Sequence, residues 1–330
     1  MASIPTLSPA SKQKHPLITH LYTADPSAHV FQGKIYIYPS HDLDEEAEEN
    51  DRGDQYRMTD YHVFSQERPE APAVDHGQVL HLKDVPWASQ QMWAPDAAYQ
   101  NGRYYLYFPA RDKQDVFRIG VATSASPTGP FVAQPAPIKG SFSIDPCVFR
   151  DDDGAFYMYF GGLWGGQLQC WANGEFDRDA PPPSPEKLAL LPKVARLTDD
   201  MFEFAAAPRD VQIVDDKGAL LRAGDIQRRY FEGPWMHKYH GLYYLSYSTG
   251  DAHTLVYATS ASPEGPFTFR GRLLDPVLGW TTHHSIIEHG GRWWLYYHDA
   301  SLSGGTSHKR CVKVQELFYN EDGAIRPMTP

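Results

Sequence analysis

The sequence predicts an all-β fold, a five-bladed β-propeller formed as a single domain. A hairpin unit recurs five times, with a polar residue at its entry, a short apolar run, a glycine turn and an aromatic strand. Its entry residues are Asp25, Asp96, Asp145, Glu232 and His284. A second, eleven-residue repeat follows two of the hairpins. The chain is 13% aromatic, with 26 glycines and 27 prolines, and this composition is typical of short strands joined by tight turns.

The first hairpin follows a polar N-terminal segment. Residues 1–14 are predicted to be a flexible tail, and residues 15–330 to form the propeller. Strand-forming residues lie on both sides of Gln32-Gly33, which is the predicted turn. The run 42–54 contains eight acids, so we expect a hydrated loop, with a cation site or a partner surface as alternatives.

The second and third hairpins turn at Asn101-Gly102 and Asp153-Gly154. The eleven-residue repeat occupies 121–131 and returns at 257–267. It follows its hairpin by a similar interval in both places. The repeating unit is therefore larger than a hairpin, and four strands per unit are expected, which is typical of a propeller blade.

The intervals between successive entry residues are uneven, at 71, 49, 87 and 52 residues. Uneven intervals would disrupt a solenoid, but each blade of a propeller tolerates its own loops. The inner strand of each blade faces the central channel. We therefore expect the entry acids to converge at one mouth of that channel.

Charge and composition exclude several functional classes. The chain has 30 basic and 41 acidic residues and a formal charge of -11, which disfavours nucleic acid and anionic membranes as partners. No apolar segment approaches a membrane span, and the N-terminus lacks the apolar core of a signal peptide, so a cytoplasmic location is expected unless a signal has been removed. Three cysteines without CxxC spacing indicate neither a disulfide framework nor a zinc site.

Three entry acids suit the cleavage of glycosidic bonds. This chemistry needs one ionised and one protonated carboxyl group, and a third carboxylate nearby can keep the acid protonated. Asp25, Asp145 and Glu232 lie eight or nine residues before their turn glycines, whereas Asp96 lies six before its own and is expected to point elsewhere. An aspartate before proline is often only a turn residue, but three equivalent acids favour a shared site.

Aromatic residues near these acids suggest a sugar-binding pocket, because sugar C–H faces pack on aromatic rings. The candidates for stacking are Phe31, Trp93 and Trp164, and a core role is an equal alternative for each.

The motifs ADPSAHVF, WAPD, IDPCVF, FEGPW and HHSI, spread over nearly the whole chain, resemble glycoside hydrolase family 43. This resemblance implies an inverting mechanism in which Asp25 is the general base, Asp145 the pKa modulator and Glu232 the general acid. It also implies that His284 binds a largely water-coordinated Ca²⁺ in the central channel, with a purely hydrogen-bonded role as the alternative. Arg310 resembles the substrate-contacting arginine of the family, although a surface salt bridge is an alternative.

The sequence ends too early for the C-terminal β-sandwich of many β-xylosidases, so its own loops, such as 41–57 and 162–182, are expected to shape the pocket. The leading interpretation is an exo-acting enzyme that releases xylose, arabinose or both from xylo- and arabino-oligosaccharides. An endo-α-1,5-L-arabinanase and a non-catalytic sugar-binding propeller are the alternatives. The sequence leaves the oligomeric state open.

Overall fold

Five blades of mainly antiparallel strands surround a central channel in the computed structural model, which describes residues 15–330. The predicted flexible tail, residues 1–14, lies outside the described residues. Within residues 15–330, no helix has the length and apolar character needed to cross a bilayer.

The first two blades span the N-terminal part of the chain. The first contains β1 (Tyr22–Phe31), β2 (Lys34–Asp42), β3 (Asp60–Gln66) and β4 (Val74–His81). The second contains β5 (Ala88–Gln90), β6 (Asp96–Gln100), β7 (Arg103–Asp112), β8 (Phe117–Ser124) and β9 (Val132–Ala133). In the second blade, β5 and β6 both pair with β7.

The remaining three blades carry the longer insertions. The third contains β10 (Cys147–Arg150), β11 (Phe156–Phe160), β12 (Lys193–Arg196) and β13 (Arg209–Asp210). The fourth contains β14 (Ile213–Val214), β15 (Glu232–Tyr239), β16 (Leu242–Ser248), β17 (Leu255–Ser260) and β18 (Phe267–Leu274). The fifth contains β19 (His284–His289), β20 (Arg292–Asp299) and β21 (Cys311–Leu317). Four short 3₁₀ turns lie at Leu82–Asp84, Trp164–Gly166, Leu168–Trp171 and Ser301–Ser303.

All five predicted hairpins are present in the structure. They are the pairs β1–β2, β6–β7, β10–β11, β15–β16 and β19–β20. At the predicted turn of the second hairpin, Asn101 and Gly102 both have positive φ, at 52° and 77°, as a type I′ turn requires. The eleven-residue repeat begins in the third main strand of its blade in both copies, β8 and β17, and a fourth strand follows it in each, whereas the fifth blade has three strands within residues 15–330.

The ring closes between the first and last blades. Backbone hydrogen bonds join Leu17 N–H to the Val312 carbonyl at 2.8 Å and Thr23 N–H to the Arg310 carbonyl at 2.9 Å. An apolar cluster between the two blades includes Trp294, which is 1% exposed. Burying a side chain of this size contributes about 2–3 kcal/mol, so closure is stabilised by packing as well as by hydrogen bonds.

Candidate active site

Three carboxyl groups from different blades line one cavity of about 220 Å³ at a mouth of the channel. Asp25 lies near the start of β1, Asp145 lies two residues before β10, and Glu232 is the first residue of β15. The predicted convergence of these entry acids is therefore present in the structure.

Irregular backbone at the strand entries directs these side chains. The β1–β2 pairing shifts register between Ala24 and Ser27, and Asp25 within this bulge has a φ of 49°. Asp145 has a φ of 59° before Pro146. Bulges redirect side chains, and left-handed conformations at non-glycine residues concentrate at functional sites.

Asp25 is 6% exposed and held by several donors. Its Oδ1 accepts a hydrogen bond from Arg310 Nη1 at 3.1 Å, and its Oδ2 accepts one from the Ser40 hydroxyl. Its backbone N–H donates to Nδ1 of His298 at 2.9 Å. Burial alone would raise the pKa of Asp25, but the charge of Arg310, with the Ser40 hydrogen bond, lowers it to about 2. Asp25 is therefore a stable carboxylate at neutral pH.

Arg310 is fixed by a second acid, Asp42. Its Nε and Nη2 donate to the two oxygens of Asp42, each at 2.8 Å, while Nη1 also donates to the Thr281 hydroxyl at 3.0 Å. This bidentate pairing gives the guanidinium one orientation. The surface salt bridge weighed as an alternative for Arg310 is excluded, because the residue is only 3% exposed and lines the cavity.

Asp145 and Glu232 have the opposite electrostatic character. Burial and the charges of Glu232 and Asp25 raise the pKa of Asp145 well above its usual range, although the Gly233 N–H donates to its Oδ2 at 2.9 Å. Burial and the charge of Asp25 raise the pKa of Glu232 to about 8. Glu232 is thus protonated at neutral pH, beside an ionised Asp25.

This arrangement supplies both groups that hydrolysis of a glycosidic bond requires. An ionised carboxylate can take a proton from water, and a protonated carboxyl can donate one to the leaving oxygen. The third carboxyl, Asp145, has a raised pKa of its own, and the N–H of Gly233, next to Glu232, holds it in place.

Aromatic side chains form one wall of the cavity, and two of the predicted stacking residues belong to it. Trp164 is half-buried and lies 5.5 Å from Trp280, ring centre to ring centre, while Trp93 is 8% exposed. The Trp93 indole N–H donates to the Tyr56 carbonyl at 3.0 Å, which fixes the ring. Trp164 and Trp280 therefore offer more free aromatic surface to a ligand than Trp93 does.

Phe31 does not line this cavity, and its predicted role in stacking a sugar beside the carboxyls is corrected. It stacks on His29 with ring centres 5.4 Å apart and packs against Tyr104. Phe31 is at the far end of β1, six residues beyond Asp25, which corresponds to roughly 20 Å along a strand. It lines a separate cavity.

Asp96 also lies outside the catalytic cavity, as its different spacing predicts. It is 1% exposed and accepts hydrogen bonds from the Ser27 hydroxyl and the Val148 N–H. His29 Nε2 lies 2.6 Å from the same carboxylate. Asp96 therefore links the first three blades rather than facing a substrate.

The structure adds cavity residues that the sequence interpretation did not single out. Trp280, Thr281 and His283 come from the segment before β19, and His283 Nε2 lies 3.9 Å from Asp145 Oδ2. The adjacent pair His283-His284 offered a signal, because neighbouring residues at a strand entry point to opposite sides. For Asp42, the sequence shows only that it belongs to an acidic run, and nothing in it indicates a contact with Arg310.

The acidic run is only partly the hydrated loop that was expected. Residues 49–51, together with Gly53 and Gln55, line the cavity. Gly165 packs so closely on this loop that an added Cβ would lie 2.8 Å from the Arg52 carbonyl oxygen. The loops 49–56 and 163–166 thus meet beside the carboxyls, which confirms that the chain's own loops shape the pocket.

His284, the first residue of β19, does not line the cavity that holds the three carboxyl groups. It is fully buried, and its Nε2 lies 2.6 Å from the Ser246 hydroxyl. Burial lowers its pKa well below the usual range, so the imidazole is neutral. Its Nδ1 makes no hydrogen bond with any residue in 15–330, and no cluster of three His, Cys, Asp or Glu ligands in that range includes it. One unpartnered nitrogen fits a cation whose other ligands are water.

Comparisons with known proteins show the family of the chain. A model of the glycosyl hydrolases family 43 matches residues 14–325. The chain is 60% identical over 319 residues to xylosidase/arabinosidase 43A of Humicola insolens, covering 94% of this chain and 98% of that one. It is 52% identical over 314 residues to a xylosidase/arabinosidase of Bacteroides ovatus, covering 95% and 97%.

A solved structure has nearly the same extent and fold. It is a β-xylosidase/α-arabinofuranosidase from a compost microbial metagenome, in complex with xylotriose and in a calcium-free form. Its TM-score is 0.95 at 57% identity, covering 97% of this chain and 98% of that one. The match to the family model and these similarities show that the chain belongs to glycoside hydrolase family 43.

Proposed function

We propose that the protein is an inverting, exo-acting glycoside hydrolase that releases xylose, arabinose or both from short hemicellulose-derived oligosaccharides. The observation that carries this proposal is the pairing of an ionised Asp25 with a protonated Glu232 in one cavity. Asp25 removes a proton from the attacking water, and the water oxygen bonds to the anomeric carbon. Glu232 gives its proton to the departing glycosidic oxygen.

Arg310 and Asp145 assist this exchange in different ways. Arg310 orients Asp25 and lowers its pKa, so the base stays ionised. Asp145 accepts a hydrogen bond from the Gly233 N–H, which fixes its position next to the acid, while burial and the charge of Asp25 raise the pKa of Glu232. Glu232 therefore keeps its proton for the leaving group while Asp25 stays ionised.

The contact between the loops 49–56 and 163–166 favours exo action. Cleavage within a long arabinan chain requires a groove that is open at both sides, whereas these loops meet beside the carboxyls. The presence of all three carboxyls likewise argues against a propeller that only binds sugars.

A product profile on xylo- and arabino-oligosaccharides tests the function. We expect monosaccharide from the earliest time points, and internal fragments from linear arabinan would contradict exo action. Rates on the nitrophenyl β-xyloside and α-arabinofuranoside decide which sugar is preferred. Proton NMR during hydrolysis is expected to show the inverted anomer first.

We further propose that the channel holds a largely water-coordinated Ca²⁺ near His284. The support is the unpartnered, neutral Nδ1 of this buried residue. Removal of calcium by a chelator is expected to lower the melting temperature of the protein, and added calcium is expected to restore it. If chelation changes neither the melting temperature nor the activity, the proposed calcium site is wrong.

A further inference from the structure

We propose a second metal site, separate from the catalytic cavity, on the two middle strands of the first blade, β2 and β3. Its ligands are His41, Asp60 and His62, which place one ligand atom each within 4.8 Å of one another. We infer that it binds one divalent cation of the Zn²⁺ class. None of these three residues lines the catalytic cavity.

Strand register brings the three side chains together. Asp60 and His62 are two residues apart on β3 and therefore point to the same face. In the β2–β3 pairing, Tyr36 lies opposite Ser65, and the same register continued along the strands puts His41 opposite Asp60. The cluster is thus built on two paired strands rather than on loops, and this gives the ligands a fixed geometry.

A second carboxylate orients His62. Its Nδ1 lies 3.3 Å from Asp75 Oδ1, which also accepts the Gly77 N–H at 2.7 Å. Nδ1 of His62 is therefore the donor, and the lone pair of Nε2 faces the cluster. A carboxylate that binds the outer nitrogen of a histidine is the usual support of a metal ligand. His20 Nε2 lies 2.8 Å from the other oxygen of Asp75, which completes the network.

The distance from His62 Nε2 to Asp60 Oδ2 is 3.7 Å, too long for a hydrogen bond. Two acceptors therefore face each other without a proton between them. Ligand atoms about 2.0–2.1 Å from a tetrahedral Zn²⁺ lie roughly 3.3 Å apart. A small shift of the two side chains would therefore let both atoms bind one ion. His41 Nδ1 is 2.7 Å from Asp60 Oδ1 and would join the shell by shifting its proton to Nε2.

The ligand set favours a borderline transition metal over calcium. Two imidazoles and one carboxylate suit Zn²⁺, Co²⁺ or Ni²⁺, whereas Ca²⁺ prefers six to eight oxygens. The side chains of His41, Asp60 and His62 are 16%, 10% and 16% exposed, so an ion and a completing water can reach them. Asp60 and Asp75 also supply negative charge.

The site lies on the reverse of a strand that supports catalysis. Ser40 and Asp42, the neighbours of His41 on β2, contact Asp25 and Arg310, and alternating side chains put His41 on the opposite face. A bound ion would tie β2 to β3 behind these contacts. We therefore expect the ion to stabilise the first blade without entering the reaction.

Calorimetric titration of tag-free, EDTA-dialysed protein with ZnCl₂ tests the proposal. We expect one Zn²⁺ per chain with a raised melting temperature, and binding about 100-fold weaker in His62→Gln and His41→Gln. Asp75→Asn, which removes only the supporting carboxylate, is expected to weaken binding about 10–100-fold. The matched control is His240→Gln, an exposed histidine in the fourth blade, which should leave binding unchanged.

Two outcomes would overturn the site. One is the absence of Zn²⁺ binding, or equal binding in wild type, His41→Gln and His62→Gln. The other is binding that is lost in Asp145→Asn instead, which would place the ion in the catalytic cavity. If a histidine variant does not fold, Co²⁺ added to wild-type protein still decides: intense visible bands indicate the four- or five-coordinate site, and weak octahedral bands contradict it.

Discussion

Arg310 and Asp25, 285 positions apart in the sequence, form a buried hydrogen-bonded ion pair in which Nη1 lies 3.1 Å from Oδ1. This pair joins the last blade to the first at the catalytic cavity. It gives the base a low pKa, while the protonated Glu232 belongs to the fourth blade. The same contact therefore contributes both to closure of the propeller and to the charge state of Asp25.

Replacement of Glu232 by Gln should remove the general acid. We expect kcat on oligosaccharides, whose leaving groups are poor, to fall by about 10²–10⁴-fold. Aryl glycosides with good leaving groups should lose much less, because they need little protonation. Steady-state kinetics on both substrate types measure the difference. Glu321→Gln, at an exposed position, is the control, and equal losses on the two substrate types would contradict the role of Glu232.

The pH dependence follows from the two opposite pKa shifts. Glu232 has a raised pKa, so its active, protonated form is lost as the pH rises through about 8. Asp25 has a lowered pKa, so its active, ionised form persists until the pH falls towards about 2. We expect kcat/KM to decline above about pH 8 and to have no acid limb near the ordinary aspartate value. An alkaline midpoint below about pH 6 would contradict the assignment.

Arg310→Met should weaken both orientation and ionisation of the base. Burial would then act on Asp25 without its main positive neighbour, so its pKa should rise and the acid limb of kcat/KM should move upward by at least about one pH unit. Arg310→Lys keeps the positive charge but loses the bidentate hydrogen bonds to Asp42. We expect it to shift the acid limb of the kcat/KM profile less than Arg310→Met does, while still lowering kcat.

Breaking this buried pair also costs stability, by about 3–5 kcal/mol. Thermal unfolding therefore accompanies the kinetics, and only folded variants are compared. An unmoved acid limb in a folded Arg310→Met variant would show that Arg310 does not set the pKa of Asp25.

Trp164→Ala should weaken substrate binding more than catalysis. Loss of the exposed indole face would remove about 1–2 kcal/mol of packing, which corresponds to a KM roughly tenfold higher. Initial rates over a range of xylo-oligosaccharide concentrations separate KM from kcat. Trp171→Ala is a matched control, because that half-buried tryptophan packs on Phe142 outside the cavity. Equal KM values in the two variants would exclude a substrate contact by Trp164.

The fold was predictable because each blade carries its own local pattern. The turns Asn101-Gly102 and Asp153-Gly154, with the alternating aromatic strands beside them, mark hairpins without reference to the rest of the chain. The position of Asp25, Asp145 and Glu232 relative to their turns then implied a shared site. Phe31 also lies in an aromatic segment near an entry acid, but it is at the end of β1 that points away from the cavity.

The sequence by itself determined the five blades, the three converging carboxyls and the family, because these depend on repeated patterns within short segments. Tertiary structure alone decided that Asp42 holds Arg310, that His283 lines the cavity while His284 contacts Ser246, and that the acidic loop packs against Gly165. These relationships arise from packing between strands and loops that are far apart in the chain. Their distances and burial fix the charge states on which the proposed reaction depends.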